Sequence, residues 1–146
     1  MSCKDYFNLD MGKTFTGLIK KICKKEDELM SNYGLTHFHS RYIMNIYKFK
    51  SLTMADLTDL VGVDKANTTR VVKDLLSHEI VIKTGGERKF SLSLTDKGKK
   101  IAKFFKSKID NFLKQVFKDF TEHEIENLRL LLDKLFIGME NSLEGE

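Results

Sequence analysis

The stretch that decides the fold runs from Leu52 to Gly98 and reads LTMADLTDLVGVDKANTTRVVKDLLSHEIVIKTGGERKFSLSLTDKG. It contains two short amphipathic segments around Gly62, followed by two apolar segments around Gly85-Gly86. The first pattern predicts two helices joined by a tight corner, and the second predicts a β-hairpin. A third helical pattern begins immediately after the hairpin. The stretch is therefore expected to form two helices, a hairpin and the start of another helix.

The two helices around Gly62 have clear start and stop signals. Thr53 is a favourable N-cap, and Asp56 places an acid in the first turn, where the helix dipole favours negative charge. Gly62 can adopt the left-handed conformation that ends a helix. Asp64 is placed to cap the second helix. We expect this second helix over about Lys65–Ser77.

The second helix has an apolar face and a polar face. With Val72 at the centre of the buried face, the 3.6-residue spacing places Thr69, Leu75 and Leu76 on the same side. Arginine and asparagine are shaped for paired hydrogen bonds to guanine and adenine, so the opposite side of this helix is a candidate DNA-reading surface. Its predicted DNA contacts are Lys65, Ala66, Asn67, Arg70 and Lys73. The alternative is an amphipathic surface helix with an ordinary charged face.

The hairpin carries positive charge near its tip. Its expected strand residues are Ile80, Val81 and Ile82 on one side and Phe90, Leu92 and Leu94 on the other. Both residues of Gly85-Gly86 can take a positive φ, which favours a tight turn. The predicted DNA contacts here are Lys83, Arg88 and Lys89, because a cation on a protruding tip suits the minor groove. The alternative is a tip that is charged only because it is solvated.

Together these elements outline a winged helix-turn-helix, and the segment from Leu35 to Ala102 resembles the MarR family of bacterial and archaeal regulators. The matching residues are Leu35-Thr36, Asp56-Leu57, Gly62-Val63-Asp64, Thr69-Arg70-Val71-Val72, Leu75, Arg88, Leu94-Thr95 and Lys97-Gly98. The chain departs from the family's usual pattern at four positions. These are Thr58 in place of a small residue, Thr68 in place of an apolar residue, Glu79 in place of glycine, and Gly86 in place of the aspartate of the wing.

The length of 146 residues suits one domain. We expect a mainly α fold with a small β-hairpin wing (α+β), arranged as a single MarR-like domain over residues 1–146. The winged helix-turn-helix lobe is expected at about 35–100, and dimerisation helices at about 8–34 and 101–142. No apolar run approaches the roughly eighteen residues that a membrane span needs, so no membrane association is expected. The absence of a signal-peptide pattern predicts a cytoplasmic location.

The charge is distributed unevenly along the chain. The net charge is +4, but Asp64 to Lys103 carries ten lysines and arginines against five acids. The segment from Asp119 to Glu146 instead carries two basic residues against eight acids. Positive charge is thus concentrated in the part of the chain that contains the helix and hairpin predicted to contact DNA phosphates.

The flanking helices have apolar stripes wider than a small lobe needs. These stripes predict a homodimer, in which two recognition helices one DNA turn apart would bind a pseudo-palindromic operator; packing within one chain accounts for part of them. The resemblance also implies a response to a small aromatic or lipophilic effector. The candidate pocket residues are Phe15, Phe38, Tyr42, Ile46 and Phe105, with core packing as the alternative.

No metal or other cofactor is expected. His37 and His39 are two apart on a predicted helix and so point to different sides, which favours structural roles. Cys23 has nearby lysines that could activate a thiolate, but it lies twelve residues before Leu35, and this spacing differs from that of the peroxide-sensing branch. Cys3 does not match that spacing either. An inert thiol is therefore the favoured interpretation of Cys23.

The sequence predicts a DNA-binding regulator and not an enzyme, because it has no nucleophile elbow, phosphate-binding loop or metal-spaced cluster. We expect a sequence-specific double-stranded DNA-binding protein. The resemblance implies a transcriptional repressor released by a small molecule. Two alternatives are a winged-helix protein-interaction module and a nonspecific architectural DNA binder, which would bind all duplexes alike.

Overall fold

The computed structural model describes residues 9–145, and its elements occur in the expected order. The helices are α1 (Leu9–Met30), α2 (His37–Phe49), α3 (Met54–Val61), α4 (Lys65–Ser77), α5 (Asp96–Val116) and α6 (Glu122–Glu144). The strands are β1 (Leu52–Thr53), β2 (Val81–Gly85) and β3 (Phe90–Leu94), and a 3-10 turn spans Ser31–Tyr33. The predicted fold class, mainly α with a small β-hairpin wing, is confirmed.

The chain forms two compact units, the first ending at Ile109 and the second beginning at Asp110. The core of the first unit is built from the end of α1, the helices α2 to α4, the sheet and the first half of α5. Its fully buried side chains include Met30, Ile46, Leu57, Leu75 and Leu92. The buried sides of α4 and of the hairpin pack against this core.

The sheet is three-stranded and antiparallel, in the order β1-β3-β2. Val81 pairs with Leu94 and Gly85 pairs with Phe90, as expected for the hairpin. Only Gly85 of the two turn glycines has a positive φ, at 113°. Strand β1 was not predicted, because two residues carry no periodicity; it adds to the sheet by pairing Leu52 with Leu92.

The corner between α3 and α4 forms as predicted. Thr53 Oγ1 accepts a hydrogen bond of 3.1 Å from the amide of Asp56, whose carboxylate accepts one of 3.1 Å from the amide of Thr53. Gly62 ends α3 with a φ of 73°. Asp64 Oδ1 accepts a 2.7 Å hydrogen bond from the amide of Asn67. These caps fix where each helix begins and ends.

The buried face of α4 differs from the predicted face at one residue, because Thr68 and not Thr69 points into the core. The buried residues are Thr68, Val71, Val72 and Leu75, and Leu76 is half-buried. Thr69 is exposed and its hydroxyl donates to the carbonyl of Lys65 at 2.8 Å. The prediction that Thr69 faces the core was wrong, because the position that completes the helical spacing of Val71 and Leu75 is Thr68.

The end of α4 is a Schellman motif with glutamate where glycine is usual. The amide of Ile80 donates to the carbonyl of Leu75 at 2.9 Å, and the amide of Glu79 donates to the carbonyl of Leu76 at 3.1 Å. Glu79 therefore has a φ of 58°. A side chain in this left-handed conformation costs about 1–2 kcal/mol, so Glu79 is a strained position.

Replacing Glu79 with glycine should stabilise the fold by about 0.5–1 kcal/mol. Removing the Cβ relieves the left-handed strain, while the greater freedom of glycine in the unfolded chain offsets part of the gain. Urea denaturation of Glu79→Gly and of Glu79→Ala tests this. The alanine variant keeps the Cβ and should show no such gain; an equal gain in both variants would contradict the strain argument.

The turn after α4 is clamped by the start of α5. Thr95 Oγ1 donates to the carbonyl of Glu79 at 2.7 Å and accepts from the amide of Gly98 at 3.0 Å. Lys97 Nζ donates to the carbonyl of His78 at 2.8 Å. A Cβ on Gly98 would lie 2.2 Å from the carbonyl oxygen of Ile80. Thr95, Lys97 and Gly98 thus hold the turn after α4 against the start of α5.

The second unit consists of the last turns of α5, a short connection and α6. Thr121 caps α6 by accepting a 3.1 Å hydrogen bond from the amide of Glu124, whose carboxylate accepts one of 3.1 Å from the amide of Thr121. These two reciprocal bonds form a capping box. Arg129 pairs at 2.8 Å with Glu126 and with Asp133 along one side of α6. Large apolar side chains on the rest of α6 are exposed, with Leu131 at 64% and Phe136 at 63%. Within residues 9–145, no helix has the length and apolar content to cross a membrane.

Candidate nucleic-acid interface

One side of α4 is open and basic. Lys65, Ala66, Arg70 and Lys73 are exposed, as predicted, and Asn67 is half-buried. Thr69 joins this exposed face. The sequence reasoning missed Thr69 because it assigned Thr69 to the core; the signal available was the i, i+3, i+7 spacing of Thr68, Val71 and Leu75.

A groove lies between the wing and α3, and the first residue of α4 also lines it. A cavity of about 810 Å³ is lined by α3, by Lys65 at the start of α4 and by wing residues that include Arg88 and Lys89. The acid among its lining residues is Asp59. The structure therefore brings Lys65, Arg88 and Lys89 together on a surface of net positive charge. Such a surface attracts phosphate groups.

Lys83 and Lys73 lie outside the lining of this groove. Lys83 is exposed on β2, and its Nζ lies 4.4 Å from the centre of the Phe90 ring, which is a cation–π distance. Lys73 is exposed one turn beyond Thr69 on α4. Both extend the positive surface away from the groove.

Arg70 is connected to the start of its own helix through two polar side chains. A guanidinium N–H of Arg70 donates to Asn67 Oδ1. Asn67 Nδ2 donates to Asp64 Oδ2 at 3.2 Å. The carboxylate of Asp64 thus both caps α4 and holds the Asn67 amide.

Comparison with known proteins shows the family to which the chain belongs. The MarR family model matches residues 33–88. The HTH-type transcriptional regulator BilQ of Clostridioides difficile is 32% identical over 122 residues, which cover 78% of this chain and 80% of BilQ. The chain belongs to the MarR family. It is therefore a relative of transcription regulators and not of enzymes, as the sequence predicted.

Solved structures of MarR proteins share this fold. The MarR protein of Peptoclostridium difficile superposes with a TM-score of 0.83 at 21% identity, covering 97% of this chain and 94% of that one. The MepR–DNA complex of Staphylococcus aureus gives 0.80 at 16% identity, covering 92% and 98%. The superpositions cover nearly the whole chain and are not confined to the residues that the family model matches.

Two departures from the usual MarR pattern contact each other beneath α4. Thr58 Oγ1 lies 3.0 Å from Thr68 Oγ1, and Thr68 Oγ1 lies 3.3 Å from the hydroxyl of Tyr42. The hydroxyl of Thr58 also donates to the carbonyl of Met54 at 2.9 Å. The fully buried hydroxyl of Thr68 is therefore satisfied, as a buried polar group must be. Hydroxyl contacts here link α2, α3 and α4 of this MarR-family chain.

The two histidines of α2 each pair with a different acid. His37 Nδ1 lies 2.9 Å from Asp27, which also accepts a 2.7 Å hydrogen bond from the amide of His37. His39 Nε2 lies 3.3 Å from Asp74 of α4. Each imidazole ring therefore has a carboxylate partner within the chain. No cluster of three metal-binding side chains occurs in the described part of the chain.

Cys23 lies beside a charged group on the neighbouring helix. Its sulfur is 3.8 Å from a guanidinium nitrogen of Arg41, and the thiol is partly buried. Burial raises the pKa of the nearby Glu26 carboxyl, although the charges of Arg41 and His37 oppose this. Glu26 Oε2 has no hydrogen-bond partner among residues 9–145. Cys3 lies outside the described residues.

Replacing Glu26 with glutamine should stabilise the protein near pH 7. The raised pKa means that the folded state prefers the neutral carboxyl, so the contribution of Glu26 to stability falls as pH rises through the ordinary glutamate pKa toward the raised one. Thermal denaturation of Glu26→Gln and wild type checks this. The gain should vanish toward about pH 4, where Glu26 approaches protonation in both states; a gain of equal size at acid pH would contradict the argument.

The candidate effector residues occupy different environments. Tyr42, Ile46 and Phe105 belong to the core of the first unit. Phe15 is half-buried, and Phe38 is 57% exposed with its ring 4.0 Å from that of His37. The groove beside the wing is lined by none of these five residues. A pocket at these positions stays a prediction.

Proposed function

We propose that this MarR-family regulator binds a pseudo-palindromic DNA operator as a homodimer and represses transcription. The observation that carries the proposal is the shared basic groove, which combines Lys65 of α4 with Arg88 and Lys89 of the wing. A helix beside a basic arm suits double-stranded DNA, because the helix fits the major groove while the arm reaches the neighbouring minor groove.

The contacts follow from the positions of the side chains. Arg70 is exposed on α4 and is shaped to donate two hydrogen bonds to guanine. Lys65, Lys73, Lys83 and Lys89 supply charge for phosphates, and Arg88 is placed for the minor groove. Ala66 is short enough to let the start of α4 approach the bases.

The apolar surface of α6 supports the dimer. Its exposed large side chains include Leu131, Leu132, Phe136 and Met139. A monomer rarely exposes so continuous an apolar surface, and a two-fold dimer would bury it. We assign dimerisation to the helices at about 8–34 and 101–142, and DNA binding to the lobe at about 35–100.

Two further parts of the proposal rest on the family resemblance. A small aromatic or lipophilic effector would release the repressor by favouring a dimer that fits the operator less well. A regulator of this kind acts where the DNA is, so we place it in the cytoplasm.

Alanine substitutions on α4 and the wing test the proposed surface. Arg70→Ala should weaken binding to the preferred duplex by about 10- to 100-fold and relax the base preference at one position of each half-site. Arg88→Ala should weaken binding by about 10-fold and lower the salt dependence. Fluorescence anisotropy at several salt concentrations measures both effects.

Lys114→Ala provides the matched control, because it removes an exposed cation that lies in the second unit. It should leave the affinity within about twofold of wild type. Unchanged binding in both arginine variants would show that α4 and the wing are not the DNA surface.

A further inference from the structure

Both polar ends of the Asn67 side chain are engaged within α4. Its Oδ1 accepts from Arg70 and its Nδ2 donates to Asp64. The orientation of this amide is settled by its partners, since a guanidinium can only donate and a carboxylate can only accept. A flipped amide would oppose donor to donor and acceptor to acceptor. A paired adenine contact would have to share this oxygen with Arg70 and this NH₂ group with Asp64.

Arg70 keeps its full positive charge in this arrangement. Its partner Asn67 is neutral, while Asp74, the acid one turn further along α4, is 3.3 Å from His39. One N–H of the guanidinium is used by Asn67, and the others suffice for paired hydrogen bonds to guanine N7 and O6. The contact to Asn67 therefore restrains Arg70 without neutralising it.

We propose that Asn67 is a positioning residue, held by Asp64, that orients Arg70 to specify a guanine in each operator half-site and does not itself read a base. This inference deepens the proposed function and rests on it. Asn67 raises affinity by ordering the long arginine side chain before DNA binds, since an immobilised side chain otherwise loses its freedom on binding.

The neighbouring exposed residues complete the surface that faces the bases. Ala66 and Thr69 are both exposed beside Arg70 and present methyl groups, which suit contact with the methyl group of thymine. The preferred half-site is therefore expected to contain a guanine set by Arg70, with no adenine that depends on Asn67.

Selection from a random duplex pool separates the two roles of Asn67. Wild type, Asn67→Ala, Arg70→Ala and the double variant are each used for selection, and their affinities are then measured on the wild-type sequence. Asn67→Ala should bind about 3- to 10-fold more weakly with the base preferences unchanged. The double variant should match Arg70→Ala within about twofold, because Asn67 acts through Arg70.

Base reading by Asn67 would give a different pattern and overturn the proposal. Asn67→Ala would then lose preference at an adenine position that Arg70→Ala leaves intact, and the two losses of affinity would multiply in the double variant. Asp64→Ser is a further variant, because serine keeps the helix cap but lacks the second oxygen that holds the Asn67 amide. It should also weaken binding without changing the preferred bases.

A measurement on the free protein keeps the inference separate from DNA binding. The heteronuclear NOE of the Arg70 Nε–H group should fall in Asn67→Ala, while that of Arg88 should not change. If wild type enriches no sequence, the proposed function fails, and the NOE still decides whether Asn67 orders Arg70. An unchanged Arg70 signal would overturn the inference even if the operator is found.

Discussion

Gly98→Ala should lower the free energy of unfolding by about 3 kcal/mol or more, because a well-packed site cannot accept a backbone clash without rearrangement. The added Cβ would lie 2.2 Å from the carbonyl oxygen of Ile80 and 3.2 Å from its Cγ2. Neither group can move freely. The amide of Ile80 is bonded to Leu75 at 2.9 Å, and its carbonyl accepts from the amide of Thr95 at 3.0 Å.

Thermal and urea denaturation measure this effect, and Gly17→Ala is the matched control. Gly17 also lies within a helix, but a Cβ there meets no atom of the described residues within 4 Å. Alanine at Gly17 should therefore stabilise helix α1 by about 0.5–1 kcal/mol. A Gly98→Ala protein as stable as wild type would show that α5 does not clamp the end of α4.

Leu132→Glu should convert the proposed dimer to monomers and weaken operator binding by about 100-fold or more. Leu132 is exposed on the apolar side of α6, and burial of an unpaired carboxylate in a dimer interface costs several kcal/mol. A monomer holds one recognition helix, so it loses the gain from occupying two half-sites at once.

Sedimentation equilibrium and duplex binding test this prediction together. Asn141→Glu adds the same charge on the far side of α6 from Leu132, by helical spacing, and should leave both association and binding unchanged. A Leu132→Glu protein that remains dimeric would place the dimer contacts elsewhere. A monomeric variant that binds with wild-type affinity would contradict the two-fold mode of binding.

The local signals around the recognition helix were sufficient to predict its fold. The caps at Thr53 and Asp64 and the stop at Gly62 depend on neighbours within four residues, so the sequence carries them directly. The hairpin was predictable for the same reason. Strand β1 was not, because it depends on pairing with β3 across about forty residues of chain.

The sequence predicted which residues of the candidate site are exposed, but it did not predict the hydrogen bonds between their side chains. Exposure of Lys65 and Arg70 follows from helical periodicity. The hydrogen bond between Thr58 and Thr68 could not be inferred from the sequence, because each threonine is a separate departure from the MarR pattern and nothing in the sequence links the two. The two hydrogen bonds of Asn67 likewise depend on rotamers that periodicity does not fix.

The most direct test of the central claim is the affinity of the intact protein for the sequence that it enriches from a random duplex pool, relative to scrambled DNA. The ratio should be measured at one physiological salt concentration, because phosphate contacts alone depend strongly on salt. We predict a two-fold symmetric sequence bound about 10³-fold or more tightly than the scrambled duplex. Equal, salt-sensitive binding to both duplexes would indicate an architectural DNA binder, and no binding to either would indicate a protein-interaction module; each result would contradict the proposal of a sequence-specific repressor.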